Sequence, residues 1–366
     1  MTAGPVRDVR KIAVFRPSAV GDFVFCLPAL DALRQTYRDA EIVYIGKQWH
    51  QDFLEGRPGP VDRVLVLPAT PGINAPASGE GVDAAALGSF IDKLRGARFD
   101  LALQMYGGGR FANPLLARLG ARISVGMRSP EAAPLDRCLD YGGVVNRRLQ
   151  LLELAALAGA RSWPMGPQLA VTAMDRHQAA LLVPDTIRPL VLLQPGASDA
   201  RRRWPAARFA AVGDALAELG ALVLVNGAPN EVPLARQVIA TMRHQAVDLS
   251  GKASLQALCG LLARTALVVS NDTGPLHLAL ALGRPCVGIY WLSNLVESAP
   301  LCQAGHRAAV SLRTACPVCG AQNLTQRCDH DTSFVDDVAL DEVAALAIAM
   351  LQEARQTVAV QAVLSA

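Results

Sequence analysis

Short apolar runs alternate with segments of helical periodicity along most of this chain. The runs show no regular alternation of polar and apolar residues, so they predict strands that are buried on both faces of a parallel sheet. The predicted strands are residues 12–15, 41–45, 61–67, 101–104, 122–125, 190–194, 221–226, 246–249, 266–270 and 286–290. Because helical segments separate them, the pattern predicts an α/β fold in which helices cover both faces of the sheet.

The alternation pauses once and then restarts. Four prolines punctuate residues 164–189, a spacing that is typical of a linker. We therefore predict a first domain at residues 1–165, a second at residues 185–335, and a C-terminal helix within residues 336–366 that packs back towards the first domain. Parallel sheets bind ligands at the loops that follow the carboxyl ends of their strands. Two such domains therefore imply a cleft between them, towards which each domain places these loops.

Composition narrows the class of protein. The chain has 366 residues, of which 51% are hydrophobic and 18% charged, as expected for a well-packed globular protein with two domains. A net charge of +3 does not indicate a nucleic-acid partner. No apolar run reaches the roughly 18 residues that a membrane-spanning helix needs, and no secretory signal is visible. A cytoplasmic protein with mostly reduced cysteines is therefore expected.

The polar turn at residues 271–277 (NDTGPLH) is the first candidate for a ligand site. It joins the strand predicted at residues 266–270 to an apolar helix with Pro275 in its first turn. Such a turn presents backbone N–H groups and the positive end of a helix, which together bind phosphate. The candidate ligands in this turn are Asp272, Thr273, Gly274 and His277. For His277 a purely structural role is the alternative.

Asp22 ends the loop after the first strand. An aspartate before a helix is most often an N-cap, whose side chain accepts hydrogen bonds from free helix N–H groups. The alternative is a carboxylate that projects into the cleft and acts as a general base. Pro17, Ser18 and Gly21 indicate a loop of defined shape rather than a generic connection.

Three consecutive arginines, residues 201–203, follow the first strand of the second domain and the loop that ends at Ser198. A charge run of this kind is usually a solvated turn. At the carboxyl end of a strand, with Trp204 as an anchor, the arginines are also well placed to neutralise a pyrophosphate. The guanidinium group suits this task because it offers a fork of donors to phosphate oxygens.

Two further strand-end loops carry candidates. Glu231 follows the strand predicted at residues 221–226, where acidic residues commonly bind ribose hydroxyls in nucleotide-binding α/β folds. A first-turn glutamate that is stabilised by the helix dipole is the alternative. Lys252 lies beside Gly251 in a third loop of the same kind.

Cys316, Cys319, Cys328 and His330 form the pattern C-x2-C-x8-C-x-H near the C-terminus. A C-x2-C pair is a metal-binding signal, but the remaining spacing matches no common zinc class. A structural zinc or iron ion, a disulfide and free thiols are the interpretations that the sequence leaves open.

The order of these motifs resembles glycosyltransferase family 9, the ADP-heptose:lipopolysaccharide heptosyltransferases. Residues 16–22 (RPSAVGD) and 27–30 (LPAL) are similar to the opening of the family, with Arg16 in place of lysine. Residues 195–205 contain PGA and RRWP, which are similar to two further motifs, again with an arginine, Arg202, where lysine is usual. Three more family motifs match in order at residues 227–231 (GAPNE), 251–255 (GKASL) and 271–277.

The resemblance spans residues 12–290 and implies the GT-B fold, in which two Rossmann-like domains face a central cleft and the second binds the donor. It implies an inverting, metal-independent transfer in which Asp22 deprotonates the acceptor hydroxyl. Arg202 would bind the donor pyrophosphate, and Glu231 the ribose. The other donor-side residues that it implies are Ser198, Lys252, Asp272, Thr273, Gly274 and His277. The residues expected on the acceptor side are Ser18, Gly21, Arg110 and Arg128.

The expected substrates are therefore an ADP-sugar that carries heptose or a related sugar, and a glycolipid or other glycan acceptor. Catalysis would need no cofactor. A zinc or iron ion bound by the C-terminal cysteines would be structural. The resemblance also implies a cytoplasmic enzyme that could contact the inner membrane. Two alternatives keep the fold: a nucleotide-sugar epimerase, which would need no acceptor, and a non-catalytic nucleotide-sugar-binding protein.

Overall fold

A computed structural model describes residues 5–76, 78, 80–161, 169–302, 304–323 and 327–364, with side chains through residue 356. The chain divides into two compact units, Met1–Ala170 and Val171–Ala366. Each unit is built around one parallel sheet of six strands.

The first unit alternates strands and helices almost throughout. Its elements are β1 (Lys11–Phe15), α1 (Val20–Thr36), β2 (Glu41–Gly46), α2 (Gln48–Leu54), β3 (Arg63–Val66), α3 (Ala84–Gly96), β4 (Leu101–Gln104), α4 (Ala112–Ala117), β5 (Ile123–Arg128), β6 (Arg137–Asp140) and α5 (Arg147–Leu157). The strand order is β3-β2-β1-β4-β5-β6, and every pair is parallel.

The second unit repeats this plan. Its elements are α6 (Ala173–Leu182), β7 (Leu190–Gln194), α7 (Ala206–Glu218), β8 (Leu222–Val225), α8 (Val232–Thr241), β9 (Val247–Asp248), α9 (Leu255–Arg264), β10 (Thr265–Asn271), α10 (Gly274–Ala281), β11 (Cys286–Trp291), α11 (Leu292–Ser298), β12 (His306–Ser311) and α12 (Leu340–Leu364). Single 3-10 turns lie at Ala200–Arg202 and Pro229–Glu231. The parallel order is β12-β11-β10-β7-β8-β9.

Both sheets have the doubly wound order of a Rossmann fold, in which the chain starts in the middle and fills first one half and then the other. The order reverses between β1 and β4 in the first sheet, and between β7 and β10 in the second. Ligands of open parallel sheets bind outside the carboxyl ends of the strands at this reversal. The topology of each unit therefore predicts a ligand site at the carboxyl edge of its sheet, where the strand order reverses.

The predicted parallel sheets are present because the apolar runs occupy the central strands. Residues 12–15 of β1 and 191–193 of β7 are fully buried, as strands covered by helices on both faces must be. In the second unit Phe209 of α7 and Val343 of α12 belong to the same core cluster as Val191 and Leu193 of β7. α12 packs against α7 and against β10, β11 and β12 of its own unit, and its expected contact with the first domain stays a prediction.

The stretch predicted as a linker contains a helix, α6. Thr172 caps it, since its hydroxyl accepts from the Asp175 N–H at 3.1 Å while the Asp175 carboxylate accepts from the Thr172 N–H at 2.9 Å. α6 packs closely on α9, where a Cβ at Gly260 would overlap the Asp175 backbone. The prolines on both sides of α6 predict a linker, whereas the capping box at Thr172 is the local signal of a helix start.

No helix in the described ranges combines the length and the apolar character that crossing a bilayer requires.

Asp31 on α1 provides a test of the packing of the first unit. Burial alone raises the pKa of its carboxyl group from the ordinary value of 3.8 to about 6. Its contribution to stability is therefore fully present below about pH 4 and is lost as the pH rises through 6. Asp31→Asn should raise the free energy of unfolding at pH 7.5 by about 1–2 kcal/mol, a figure reduced for partial solvent screening.

Differential scanning calorimetry at pH 7.5 and pH 4.5 measures this effect. Asp31→Asn should raise the melting temperature clearly at the higher pH and much less at the lower one. Asp39→Asn, an exposed change just beyond the end of α1, is the matched control and should have little effect at either pH. An equal gain at both pH values would show that the Asp31 charge is not the cause.

Candidate active site

The polar residues of the second unit gather where its strand order reverses. β7 and β10 are neighbours in the sheet, paired between Leu192 and Val268 among others. The loop after β7 carries Ser198 and Arg202, and the loop after β10 carries Asp272. Because both loops leave adjacent strands at the same edge, their side chains can meet.

Asp272 is the centre of a hydrogen-bonded group. Its side chain is 3% exposed. Oδ1 accepts from His277 Nε2 at 3.0 Å and from the Ser298 hydroxyl at 2.8 Å. Arg202 Nη1 lies 3.3 Å from Oδ2 and 3.1 Å from the Asp272 carbonyl oxygen, and Arg202 Nη2 donates to Ser198 Oγ at 2.8 Å. We call Ser198, Arg202, Asp272, His277 and Ser298 the Asp272 cluster.

Neighbouring charges in the Asp272 cluster favour the ionised form of the Asp272 carboxylate. Burial alone would raise the pKa of Asp272, because an ionised carboxylate loses its hydration there. The hydrogen bond and charge of His277, with the charge of Arg202, outweigh burial and hold the pKa of Asp272 below its ordinary value. The ionised Asp272 orients both neighbours. Arg202 Nε is buried without a hydrogen-bond partner among the described residues.

Asn271, the last residue of β10, is hydrogen-bonded to the loop that follows β7. Its Nδ2 donates to the Pro195 carbonyl at 2.8 Å, and its Oδ1 accepts from the Trp204 N–H at 3.1 Å. Trp204 is 1% exposed, and its indole N–H donates to the Val338 carbonyl at 3.0 Å. The segment that carries the arginines is therefore anchored at both ends, and Arg201 is itself buried. The interpretation of residues 201–203 as a solvated basic turn is wrong for this reason.

Glu231 is held at the same sheet edge. Its Oε2 accepts from the Ala228 N–H at 2.9 Å and from Gln194 Nε2 at 3.3 Å, and Gln194 is the last residue of β7. Gln194 Oε1 in turn accepts from Asn226 Nδ2 at 2.7 Å. Glu231 therefore caps its own 3-10 turn, as the helix-start alternative expects, and its contact with a ribose stays a prediction.

Gly196→Ala tests whether the Glu231 position depends on a close approach of the backbone. A Cβ at Gly196 would overlap the Glu231 carboxylate, so the substitution should destabilise the protein by about 1–3 kcal/mol. Urea denaturation of Gly196→Ala, Glu231→Ala and the double variant measures the coupling. In the double variant the overlap is absent, so the two losses should fall short of additivity by about 1 kcal/mol. Fully additive losses would show that these two residues do not constrain each other.

The other donor-side predictions divide into two groups. Thr273 is the N-cap of α10 and Gly274 is its first residue, so both lie directly beside Asp272. Lys252 lies apart, with its Nζ 2.7 Å from the Asp248 carbonyl oxygen and 3.6 Å from the Asp248 carboxylate. No described contact joins Lys252 to the Asp272 cluster, and its role as a donor ligand stays a prediction.

In the first unit, Asp22 occupies the third position of α1. The N-cap is Ala19, which makes no side-chain capping bond, so the interpretation of Asp22 as the N-cap is wrong. The Asp22 carboxylate is 52% exposed and lies 3.4 Å from Arg16 Nη2. Arg16 Nε donates to the Asp22 carbonyl at 2.7 Å, and Nη1 donates to the Met105 carbonyl. Because Arg16 follows β1 and Met105 follows β4, this group also lies at a reversal of strand order.

Tyr106 is a neighbour of Asp22 that the motifs did not single out. Burial raises the pKa of its phenol, and the charge of Asp22 raises the pKa further, whereas Arg16 opposes both. The Tyr106 hydroxyl donates to the Ile73 carbonyl at 2.9 Å, which ties the strand-end loop to residues 68–76. An exposed carboxylate between an arginine and a tyrosine is a suitable place for proton transfer to or from a ligand.

The residues predicted on the acceptor side lie along the carboxyl edge of the first sheet. Arg110 is exposed on the loop after β4, and Arg128 is the exposed last residue of β5. Ser18 is 5% exposed and Gly21 lies within α1, and the place of both on the acceptor side stays a prediction.

The cysteine residues of the C-x2-C-x8-C-x-H pattern converge. The thiol and imidazole atoms of Cys316, Cys319, Cys328 and His330, here called the cysteine cluster, all lie within 4.8 Å of one another. Residues 316–320 form a knuckle, in which the Val318 N–H points at Cys316 Sγ at 3.4 Å and Gly320 adopts a φ of +71°. Three sulfurs and one imidazole nitrogen at this separation suit a tetrahedral zinc or iron ion.

Besides Tyr106, the site contains two residues, Ser298 and Arg16, whose roles the motifs do not indicate. Ser298 follows Asp272 by 26 positions, at the end of the short helix α11, where no periodic pattern draws attention to it. Arg16 stands where the family motif has lysine, and its buried position near Asp22 depends on the Met105 carbonyl after β4, which is remote in sequence.

Comparison with known proteins decides the class of the chain. The model of glycosyltransferase family 9 (heptosyltransferase) matches residues 87–323, which is well over half of its length. The chain belongs to glycosyltransferase family 9. It is therefore an enzyme that transfers a sugar, and the family that the motif order indicated is confirmed.

Named relatives agree with this assignment. Lipopolysaccharide core heptosyltransferase OpsX of Haemophilus influenzae is 24% identical over 306 residues, which cover 80% of this chain and 82% of that protein. The structure of the glycosyl transferase family 9 protein from Veillonella parvula aligns with a TM-score of 0.78 and 20% identity, over 96% of this chain and all of that chain. The E. coli ADP-heptose lipopolysaccharide heptosyltransferase II structure gives a TM-score of 0.73 and 20% identity, with coverage of 94% and 99%. These likenesses confirm the predicted GT-B class of fold.

Proposed function

We propose that this glycosyltransferase moves a heptose, or a closely related sugar, from an ADP-sugar to a hydroxyl of a lipopolysaccharide core or another glycoconjugate. The names of the relatives OpsX and E. coli heptosyltransferase II support the sugar and the acceptor class, and the latter name supports the ADP-linked donor. The observation that carries the proposal is the meeting of Arg202 with the start of α10 at the β7–β10 reversal.

The leaving group of such a reaction is a nucleoside diphosphate, so negative charge grows on its phosphate oxygens in the transition state. Arg202 supplies a fixed positive charge and a buried Nε donor, and the N-terminus of α10 supplies a partial positive charge and backbone N–H groups. Together they supply to the leaving diphosphate the kind of stabilisation that a divalent cation provides in phosphoryl-transfer enzymes. We therefore propose a transfer that does not depend on a catalytic metal ion.

Asp22 is the proposed general base. Its exposed carboxylate would accept the proton of the acceptor hydroxyl as the acceptor oxygen attacks the anomeric carbon from the side opposite the diphosphate. The bond from the anomeric carbon to the diphosphate oxygen breaks in the same displacement, and ADP leaves. A single in-line displacement of this kind inverts the configuration at the anomeric carbon.

The remaining residues are assigned to binding. We propose that Glu231 binds the ribose, with its second carboxylate oxygen, and that Ser198, Lys252 and Thr273 contribute to the donor site. Arg110 and Arg128 are exposed cations on the edge that carries Asp22, so they are the proposed contacts for acidic groups of the acceptor. Under this proposal the enzyme acts in the cytoplasm, and contact with the inner membrane stays a prediction.

The cysteine cluster is proposed to hold a structural zinc or iron ion. Its donor set and the N–H group aimed at Cys316 Sγ fit such an ion, because thiolates bound to a metal accept backbone hydrogen bonds. An ion bound there would fix the local fold of residues 316–320 and 327–330.

Product analysis by mass spectrometry tests the proposed function. The protein is incubated with ADP-heptose, with and without a deacylated lipopolysaccharide core that lacks its outer heptose, and UDP-glucose serves as the control donor. ADP release and a core product heavier by one heptose should appear only when donor and acceptor are both present. Conversion of ADP-heptose to another sugar nucleotide without acceptor would indicate an epimerase, and binding without any turnover would indicate a non-catalytic protein.

A further inference from the structure

We propose that a metal ion in the cysteine cluster sets the affinity of the enzyme for the donor nucleotide, through Asn323 and Arg201. The inference rests on the proposed function, because it takes the segment at residues 199–204 to be the one that holds the donor diphosphate. We call this segment the arginine loop. The coupling follows from an unbroken series of contacts between the two sites.

The first contact joins the cysteine cluster to Asn323. Asn323 is 7% exposed, and its Oδ1 accepts from the Cys328 N–H at 3.3 Å. Its Nδ2 lies 3.5 Å from Cys328 Sγ and donates to the Ala321 carbonyl at 2.8 Å. The amide group of Asn323 is therefore positioned by one of the four cluster residues, and donors of this kind orient metal-bound thiolates.

The second contact joins Asn323 to the arginine loop. Arg201 Nη1 donates to Asn323 Oδ1 at 3.0 Å, and the opposite side of the guanidinium group donates to Asp199 at 2.7–3.1 Å. The same guanidinium lies 5.5 Å from the ring centre of Trp291 and 5.9 Å from that of Phe334. Arg201 is thus fully engaged by its surroundings, whereas its neighbour Arg202 faces Asp272.

Residues that follow His330 are also hydrogen-bonded to the arginine loop. The Phe334 N–H donates to the Arg201 carbonyl at 2.7 Å, and the Ser333 hydroxyl donates to the Arg203 carbonyl at 2.7 Å. Residues on both sides of Arg202 are therefore bound to the segment that contains Cys328 and His330. Order in that segment must favour the conformation in which Arg202 is presented to a ligand.

A metal ion would supply that order. Four ligands from two short stretches of chain, residues 316–319 and 328–330, are brought together by the ion, and the free energy of binding it is available to fix local structure. Without the ion, the knuckle and residues 327–334 lose this constraint, so more conformational freedom must be lost when the donor binds. Preorganisation of a binding loop raises affinity for this reason, without any new contact to the ligand.

Isothermal calorimetry with ADP as the probe tests the coupling. Metal content is first measured by elemental analysis, and protein is then prepared with saturating zinc or iron and after removal of the metal by chelation. The dissociation constant for ADP should be roughly tenfold higher in the metal-free protein. Hydrogen exchange followed by mass spectrometry should show faster exchange in the arginine loop after metal removal, with α8 unchanged.

Substitutions separate the coupling from the fold. Asn323→Ala, at saturating metal, should still bind one ion per chain but raise the dissociation constant for ADP about five- to tenfold. Gln322→Ala, an exposed neighbour, is the matched control and should bind ADP as the wild type does. Cys319→Ser should lose the metal and bind ADP as the chelated protein does, whereas Cys302→Ser, an exposed cysteine outside the cluster, should change neither property.

The possible outcomes are distinct. Absence of metal from the purified protein together with failure to take up zinc or iron would overturn the inference, as would ADP binding within twofold of wild type in both the metal-free protein and Asn323→Ala. If metal-free protein and Cys319→Ser prove insoluble, the result with Asn323→Ala decides alone. Failure of the metal-loaded wild type to bind ADP would instead contradict the proposed donor site itself.

Discussion

Asp22→Asn is expected to lower the rate of sugar transfer roughly 10³-fold and to leave the dissociation constant for ADP within twofold of the wild-type value. The amide keeps the size of the side chain, and Arg16 remains anchored to the carbonyl groups of Met105 and residue 22. The variant therefore removes the proton acceptor with little disturbance of the loop. Steady-state kinetics with saturating ADP-heptose and acceptor, combined with calorimetry for ADP, measures both quantities.

The matched control is Asp39→Asn, which also removes an exposed carboxylate from the first unit. It should retain wild-type kinetics. Asp22→Ala should behave as Asp22→Asn does, since both lack a group that can accept the acceptor proton. Turnover of Asp22→Asn within tenfold of wild type would remove Asp22 as the base and direct attention to Tyr106, its neighbour at the same edge.

Arg202→Ala is expected to raise the dissociation constant for ADP roughly 100-fold and to lower kcat as well. The substitution deletes the buried Nε donor and the positive charge that is proposed to bind the diphosphate. Because the charge on the leaving diphosphate is larger in the transition state than in the bound donor, kcat should fall in addition to affinity. Calorimetry and steady-state kinetics with varied donor concentration separate the two effects.

Arg202→Lys and Arg236→Ala control for charge and for general loss of arginine. Lysine restores the charge without the fork of donors, so Arg202→Lys should recover most of the affinity but not the full kcat. Arg236 is 69% exposed on α8, and its replacement should change neither constant. Because Arg202→Ala leaves the buried Asp272 with one cationic partner fewer, its melting temperature must be measured beside the wild type. Wild-type ADP binding by a folded Arg202→Ala would contradict the donor assignment.

The sequence allowed the parallel sheets to be predicted because central strands must be apolar on both faces. β1, β7 and β10 follow this rule closely, and their predicted bounds differ from the structure by one residue at each end at most. The strands that the pattern missed, β6 and β12, lie at sheet edges. There one side of the strand is unpaired and polar residues are tolerated, as in the RCLD of β6, so no continuous apolar run marks it.

The sequence predicts which candidate site residues lie at strand ends, but it does not predict which residues they contact. Motifs at strand ends placed Asp22, Arg202 and Asp272 at the correct edges, because parallel strands bring their carboxyl ends together. The partners of these residues depend on separations that no local pattern encodes, such as the 70 positions between Arg202 and Asp272. The hydrogen bond between Arg201 and Asn323, which links the arginine loop to the cysteine cluster, joins residues that are 122 positions apart. Both follow from the order of strands in the sheet rather than from any motif.

The anomeric configuration of the product tests the central claim most directly. ADP-heptose of defined configuration is converted with an acceptor of the lipopolysaccharide core, and the new linkage is determined by proton nuclear magnetic resonance, with ADP measured in parallel. The account predicts one ADP for each sugar transferred and an inverted anomeric centre, as displacement assisted by Asp22 requires. Retention of configuration, or loss of the donor sugar without a sugar–acceptor linkage, would contradict it.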